Sequence, residues 1–209
     1  MQKIKVCVQG NTYQYEKGTT FLQLARKWQD KYEDAIILAV FNNKLIELGQ
    51  VIPRDGDIAF LTTKDKNGRR AYRRSVVFLM QRALQQMYPD GTEILHVEHS
   101  LGAGYYCRME GRDVIDSAWL DDLKKEMLSL VEKNLTIEKK TMKTEDARKL
   151  FAKCGMQDKE RLMHYRSSSN CNVYELDGCL DYFYGYMAPS TGMLSYFALY
   201  PYEEGFILQ

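Results

Sequence analysis

Lys3 to Gln9 alternates polar and apolar side chains with a period of two, which predicts a strand with one buried face. Gly10-Asn11 marks a turn and Thr12 to Tyr15 returns as a second strand, so the chain opens on a predicted hairpin. Gly18-Thr19-Thr20 offers a helix N-cap. Phe21, Leu22, Leu24, Ala25 and Trp28 then share one face of a helix reaching about Lys31. Ala35 to Phe41 is a continuous apolar run bounded by Asn42-Asn43. It is too short for a helix and predicts a central strand. Asp55-Gly56-Asp57 turns into Ile58 to Leu61, a last strand. The order ββαββ through residue 62 predicts a small sheet packed on one helix.

Thr62 to Arg70 is polar and basic, with Asn67-Gly68 as a turn signal, and predicts a domain boundary. A helix follows over Ala71 to Met87, its apolar stripe made by Val76, Val77, Met80, Ala83, Leu84 and Met87 and its end by Pro89-Asp90-Gly91. Ile94–Val97 and Tyr105–Met109 predict strands joined at Gly102-Ala103-Gly104. Ser117 to Lys133 is the clearest amphipathic helix, with Leu120, Leu123, Met127, Leu130 and Val131 on its apolar face. Leu135–Lys139 predicts a short strand, and Thr144 caps a predicted helix to Lys153. Strands are predicted at Asn172–Leu176, Cys179–Phe183, Leu194–Leu199 and Gly205–Leu208. The division is therefore 1–63, a basic linker and helix start at 64–74, and 75–209, in an α+β fold.

Composition changes this picture little: 45% hydrophobic and 27% charged is ordinary for a globular protein. Fifteen Tyr, many of them late in the chain, suit a pleated surface with one wet side. No apolar run is long enough for a membrane span or a signal peptide. Five scattered cysteines (Cys7, Cys107, Cys154, Cys171, Cys179) argue for reduced thiols and a cytoplasmic setting. The net charge of +1 conceals a local patch. Lys64, Lys66, Arg69, Arg70, Arg73 and Arg74 face only Asp65 in residues 64–74, whereas residues 75–209 carry fifteen basic and twenty acidic side chains. A broad nucleic-acid-binding face is disfavoured by that balance.

Few residues of the sequence stand in a spacing that carries chemistry. There is no GxxxxGK[ST] phosphate loop, no CxxC, HxxxH or HExxH zinc spacing, and Gly102-Ala103-Gly104 lacks the third glycine of a dinucleotide fingerprint. His96, Glu98 and His99 form the one local cluster of metal-ligand types, but on a regular strand His99 points away from the other two. Cys107 and His99 could approach across a hairpin as nucleophile and base, with nothing to orient the base. The expectation is no catalytic, metal or cofactor site within these residues.

Three stretches carry a family resemblance. The first 62 positions, with Gly10, Gly18-Thr19-Thr20, Leu45 and Phe60-Leu61-Thr62, resemble a TGS domain, the ubiquitin-like β-grasp module of threonyl-tRNA synthetases. Residues 70 to about 200 resemble the second additional domain of that synthetase, shared with alanyl-tRNA editing proteins. RRSVVFLMQRALQQMYP, SLGAGYYCRM and DYFYGYMAPSTG carry the likeness, Pro189-Ser190-Thr191-Gly192 most specifically. The resemblance places the synthetase's metal ligands at Arg74, Phe78, Phe183 and Met187, residues that suit no zinc site. It therefore implies an editing-like domain without its chemistry. VEHSLGAGYY, DYFYGYMAPSTG and EEGFILQ resemble more closely the bacterial nucleoside kinases of uridine-kinase type.

That second resemblance implies a non-catalytic regulatory or ligand-binding region, with the chain's own C-terminal kinase domain as partner and ATP and magnesium as that kinase's cofactors. A nucleoside or nucleotide would then occupy the old cleft, with Arg74 as charge partner and Tyr182, Tyr184 or Tyr186 as stacking surface. The plainer reading makes Arg74 a solvated helix residue and Phe183 and Met187 core. The alternative function is a module binding the tRNA acceptor end, supported by the basic segment Lys64–Arg74. A residual hydrolase built on His96, Glu98 and His99 is the third.

Overall fold

A computed structural model of the chain describes residues 2–209. Its first part consists of β1 (Lys3–Val8), β2 (Asn11–Glu16), α1 (Phe21–Trp28), a 3₁₀ turn (Gln29–Lys31), β3 (Ile36–Phe41), β4 (Lys44–Glu47) and β5 (Gly56–Thr62). The five strands order as β2-β1-β5-β3-β4, with β1 and β5 parallel and the other neighbours antiparallel. This is the β-grasp arrangement, with one strand more than the hydrophobic pattern predicts. β4 is a short return after the Asn42-Asn43 turn, where both residues take positive φ. Of the three N-cap candidates Thr20 is the cap. Its hydroxyl accepts from the Gln23 amide at 3.1 Å, and the Gln23 side chain accepts from the Thr20 amide at 2.9 Å.

The sheet is covered on both faces. Phe21, Leu24, Ala25 and Trp28 of α1 pack with Ile4, Val6, Val8, Ile36, Ala39 and Ile58 into one core. In β3 the register slips between Ile36 and Leu38, a bulge at Ile37. Consecutive Ile37 and Leu38 thereby both join the opposite core, the one built around the long helix that follows.

That helix, α2, spans Lys66–Met87, 22 residues, and starts five residues before the pattern predicts. The Asp65 carboxylate accepts from the Thr62 amide at 2.7 Å and folds the chain back on itself. Gly68 then passes so close to the end of β5 that a Cβ on it would lie 2.0 Å from the Thr62 carbonyl oxygen. Asn67-Gly68 is thus a close packing point inside α2 and no turn. Residues 75–80 are buried without a break, as in a helix surrounded by neighbours.

β6 (Ile94–Leu101), β7 (Gly104–Glu110), β11 (Leu199–Tyr202) and β12 (Gly205–Leu208) form a sheet ordered β11-β12-β7-β6. α3 (Ser117–Lys133) has the predicted limits, capped by Asp116, which accepts from the Trp119 amide at 2.8 Å. β8 (Glu138–Lys143), β9 (Asn170–Leu176) and β10 (Cys179–Tyr182) form a third sheet, ordered β10-β9-β8 and backed by α4 (Thr144–Lys153) and α5 (Gln157–His164). The whole is α+β.

Several expectations fail here for local reasons. The strand expected at Leu135–Lys139 lies at Glu138–Lys143, because Leu135 and Ile137 are engaged by the 189–191 segment. Thr144 does not cap α4, since its hydroxyl donates to the Ser168 carbonyl at 2.5 Å. Leu194–Leu199 is irregular up to Leu199, its Tyr196 backbone held by the Tyr72 hydroxyl. α5, with Met163 as its one buried residue, has no counterpart among the predicted elements.

Candidate functional site

α2 and the segment 183–188 meet along a seam that brings together Arg74, Phe78, Phe183 and Met187. Phe78 is fully buried and its ring stands edge-on to Phe183, centroids 5.1 Å apart. Met187 is buried with its sulfur 3.9 Å from the Ser75 hydroxyl, which donates to the Ala71 carbonyl and accepts from the Ala188 amide at 2.8 Å. Arg74 is neither free nor simply solvated. Its guanidinium donates to the Tyr186 carbonyl at 2.6 Å and lies against Gly185, where φ is +125° and a Cβ would sit 2.7 Å from Arg74 Cζ. Burial lowers the Arg74 pKa, opposed by the neighbouring Tyr105 and Tyr174. The seam is filled with thioether, phenyl rings and a bonded cation.

The stacking candidates scatter. Tyr182 lies under Arg166, to which its hydroxyl is hydrogen-bonded, with the guanidinium 5.2 Å from the ring centroid. Tyr186 has Lys139 over its ring at 5.7 Å, and Tyr184 projects into solvent, 82% exposed. These three tyrosines do not converge on Arg74.

The seam is tied to the first part of the molecule by a residue the pattern did not single out. Glu47, at the end of β4, is 6% exposed. Its Oε1 accepts from the Tyr174 hydroxyl at 2.7 Å and the Met187 amide at 2.9 Å, while Oε2 lies 3.2 Å from Lys139 Nζ. The Tyr174 hydroxyl also lies 2.8 Å from the Gly185 carbonyl. Burial first, and then Glu47, raise the Tyr174 pKa.

Further along α2 a cavity of about 420 Å³ opens between Gln81, Tyr88, Lys159 and the β9–β10 turn. Asp181, 3% exposed, accepts from Gln81 at 2.8 Å and pairs with Lys159 at 3.3 Å. Desolvation raises its carboxyl above the usual carboxylate value in spite of Lys159. The Gln81 Oε1 atom is buried and unpartnered. The signal for Asp181 was present in the sequence as a carboxylate at a strand position that alternation turns inward.

His96, Glu98 and His99 do not converge. His96 lies 2.9 Å from Glu110, His99 rests on the Tyr106 ring at 5.4 Å, and Glu98 occupies a bulge between them. Cys107 is fully buried, and burial pushes its thiol up to about 12, which removes it as a nucleophile near neutrality. Among the described residues no three His, Cys, Asp or Glu side chains gather as a metal site would require.

The Pro189–Gly192 run has a structural task. The Pro189 carbonyl accepts from the Ile137 amide at 3.0 Å. The Thr191 hydroxyl donates to the Leu130 carbonyl at 2.6 Å and accepts from the Leu135 amide at 2.8 Å. It thus satisfies a carbonyl in the last turn of α3, where Asn134 turns left-handed at φ 48°. The basic segment is divided in use. Lys64 pairs with Glu33 and Asp34 at 2.6 and 3.0 Å, and Arg73 donates to the Gly104 carbonyl at 3.1 Å over the Tyr105 ring. Lys66, Arg69 and Arg70 are exposed.

A threonine–tRNA ligase of Acholeplasma laidlawii is 29% identical over 191 residues, covering 91% of this chain and 29% of the ligase. That of Thermotoga neapolitana is 26% identical over 199 residues, 94% of the chain, and threonine–tRNA ligase 1 of Bacillus subtilis 27% over 195 residues, 91% of the chain. The chain is similar to the amino-terminal region of threonine–tRNA ligases. It spans about three tenths of the length of these curated relatives. No protein-family model matches it. These ligases overturn the expectation of a regulatory region attached to a nucleoside kinase, since they match through both parts of the chain and nothing in them supports a kinase or a kinase-domain partner. No helix among the described residues is long and apolar enough to cross a membrane.

Proposed function

We propose that the chain is an RNA-contacting module that engages the acceptor end of a transfer RNA and lacks deacylase chemistry of its own. The observation that carries this reading is the match to threonine–tRNA ligases over 91–95% of the chain, through the β-grasp sheet and the α+β unit alike. Arg74, Phe78, Phe183 and Met187 support its non-catalytic half: the positions that the resemblance assigns to metal ligands hold a backbone-bonded guanidinium, packed rings and a thioether. The exposed cations at the start of α2 support its RNA half. Five free thiols agree with work in a reducing cytoplasm.

Binding to total tRNA across a salt series tests it. Phosphate contact makes log affinity fall linearly with log salt. Binding absent at low salt, or indifferent to salt, refutes the reading. Mischarged threonyl- or alanyl-tRNA should survive incubation with the chain at the buffer rate, and measurable deacylation refutes the non-catalytic half.

A further inference from the structure

The first turns of α2 carry a feature that neither the seam nor the cavity uses. Lys66, Arg69, Arg70 and Arg73 recur at helical spacing of three and four, so they lie along one stripe. Lys66, Arg69 and Arg70 are exposed, with no carboxylate within 4.0 Å among the described residues. The next positions of the helix line a slot of about 170 Å³ formed by Arg69, Tyr72, Arg73, Val76, Tyr105 and Tyr196.

Tyr196 is the informative member. Its side chain is 85% exposed, yet its backbone is held from both sides by the Tyr72 hydroxyl, which accepts from its amide at 2.8 Å and lies 3.2 Å from its carbonyl. Tyr105 is fixed in turn by the Arg73 guanidinium, 4.7 Å over its ring. A rigidly based aromatic ring left in water, beside unpaired cations, is the pairing of stacking platform and charge that single-stranded nucleic acid requires.

We infer that the start of α2 and the Tyr196 slot form the docking surface for an unpaired stretch of RNA, with phosphates on Lys66, Arg69 and Arg70 and a base against Tyr196. This rests on the RNA reading above and says where on the molecule, and which part of the RNA, the contact is made. The charge balance favours this patch: residues 64–74 carry six cations against Asp65, whereas residues 75–209 carry fifteen basic and twenty acidic side chains.

The test is fluorescence anisotropy with the full chain and two RNAs, a hairpin ending in four unpaired nucleotides and the same hairpin with a blunt end. Three variants are compared: Arg69→Glu/Arg70→Glu, Tyr196→Ala, and Lys149→Glu/Lys153→Glu on α4 as a charge control. The α2 reversal should weaken binding at least tenfold and lower the salt slope by about 2. Tyr196→Ala should cost roughly five- to a hundredfold on the overhang RNA and little on the blunt one. The α4 pair should change binding less than threefold. All substituted side chains are exposed, so thermal unfolding should match the wild type. Wild-type binding with all variants equal, or an α4 effect as large as the α2 effect, overturns this surface and leaves the RNA reading standing. No wild-type binding to either RNA or to total tRNA overturns both.

Discussion

Glu47 is where a single substitution should be felt across the whole molecule. In Glu47→Ala the Met187 amide is left buried without an acceptor, a loss of about 1–3 kcal/mol. The Tyr174 hydroxyl retains the Gly185 carbonyl and Lys139, 22% exposed, recovers part of its hydration, so these add only about 1 kcal/mol together. The expected total is about 2–4 kcal/mol, a sizeable share of the roughly 5–15 kcal/mol of a typical domain. Glu47→Gln keeps an acceptor of the same shape, loses the charge, and should cost about 1 kcal/mol. Urea unfolding followed by circular dichroism reads both. With an m value of about 3 kcal/mol/M, the alanine variant should shift the midpoint by about 1 M. A midpoint within 0.2 M of wild type (~0.6 kcal/mol) refutes the reasoning. Equal losses in the two variants would show that the acceptor for Met187 is not what matters.

Three further outcomes follow from the geometry. Gly185→Ala should lower stability by about 1–3 kcal/mol, because φ of +125° and the Arg74 guanidinium both oppose a Cβ. Combining it with Arg74→Ala should give less than the sum of the two losses, and strict additivity in thermal denaturation would count against the contact. Of the thiols, exposed Cys154 should react fast with a disulfide reagent at pH 8, while Cys107 and Cys179, both held up to about 12 by burial, should react only on unfolding. Mass mapping that finds either of them labelled as early as Cys154 sinks that expectation. Asp181 binds its proton more tightly folded than unfolded, so its contribution to stability is lost as pH rises from the ordinary carboxylate value through the folded one. Asp181→Asn should therefore gain on the wild type between about pH 4 and neutrality and match it below about pH 3. A melting-temperature difference that does not vary with pH contradicts this.

The elements legible in the sequence are those whose pattern answers to a single partner. α3 has one apolar stripe, an Asp116 cap and solvent on its other side, and both its limits are predicted. β8 runs along a sheet edge with every residue at least partly exposed, so Glu138–Lys143 shows no alternation to read. α5 buries Met163 alone and is held by α4 and the sheet rather than by its own pattern. The start of α2 was hidden because Gly68 and Asn67 look like a turn, when what decides the matter is the Thr62 carbonyl six residues earlier. At the seam, the absence of ligand chemistry at Phe78, Phe183 and Met187 could be read directly. That Arg74 closes onto the Tyr186 carbonyl, and that Glu47 reaches Tyr174 from another sheet, depends on separations of 112 and 127 residues, which no local pattern encodes. The preference for a kinase over a synthetase rested on short phrases. One of them contains Pro189–Gly192, whose Thr191 hydroxyl is occupied in holding the end of α3 and Leu135.

The bulge at Ile37 has a consequence for how such a module can be inherited. Because β3 sends Ile37 and Leu38 into the core of α2 while Ile36 and Ala39 face α1, a cut at the end of β5 would strip one side of the sheet to bare aliphatic surface. The β-grasp part can therefore be gained or lost by a gene only together with the helix that roofs it, or after its second face has been rewritten in polar residues. The second face of the sheet thus makes the two parts one packed body.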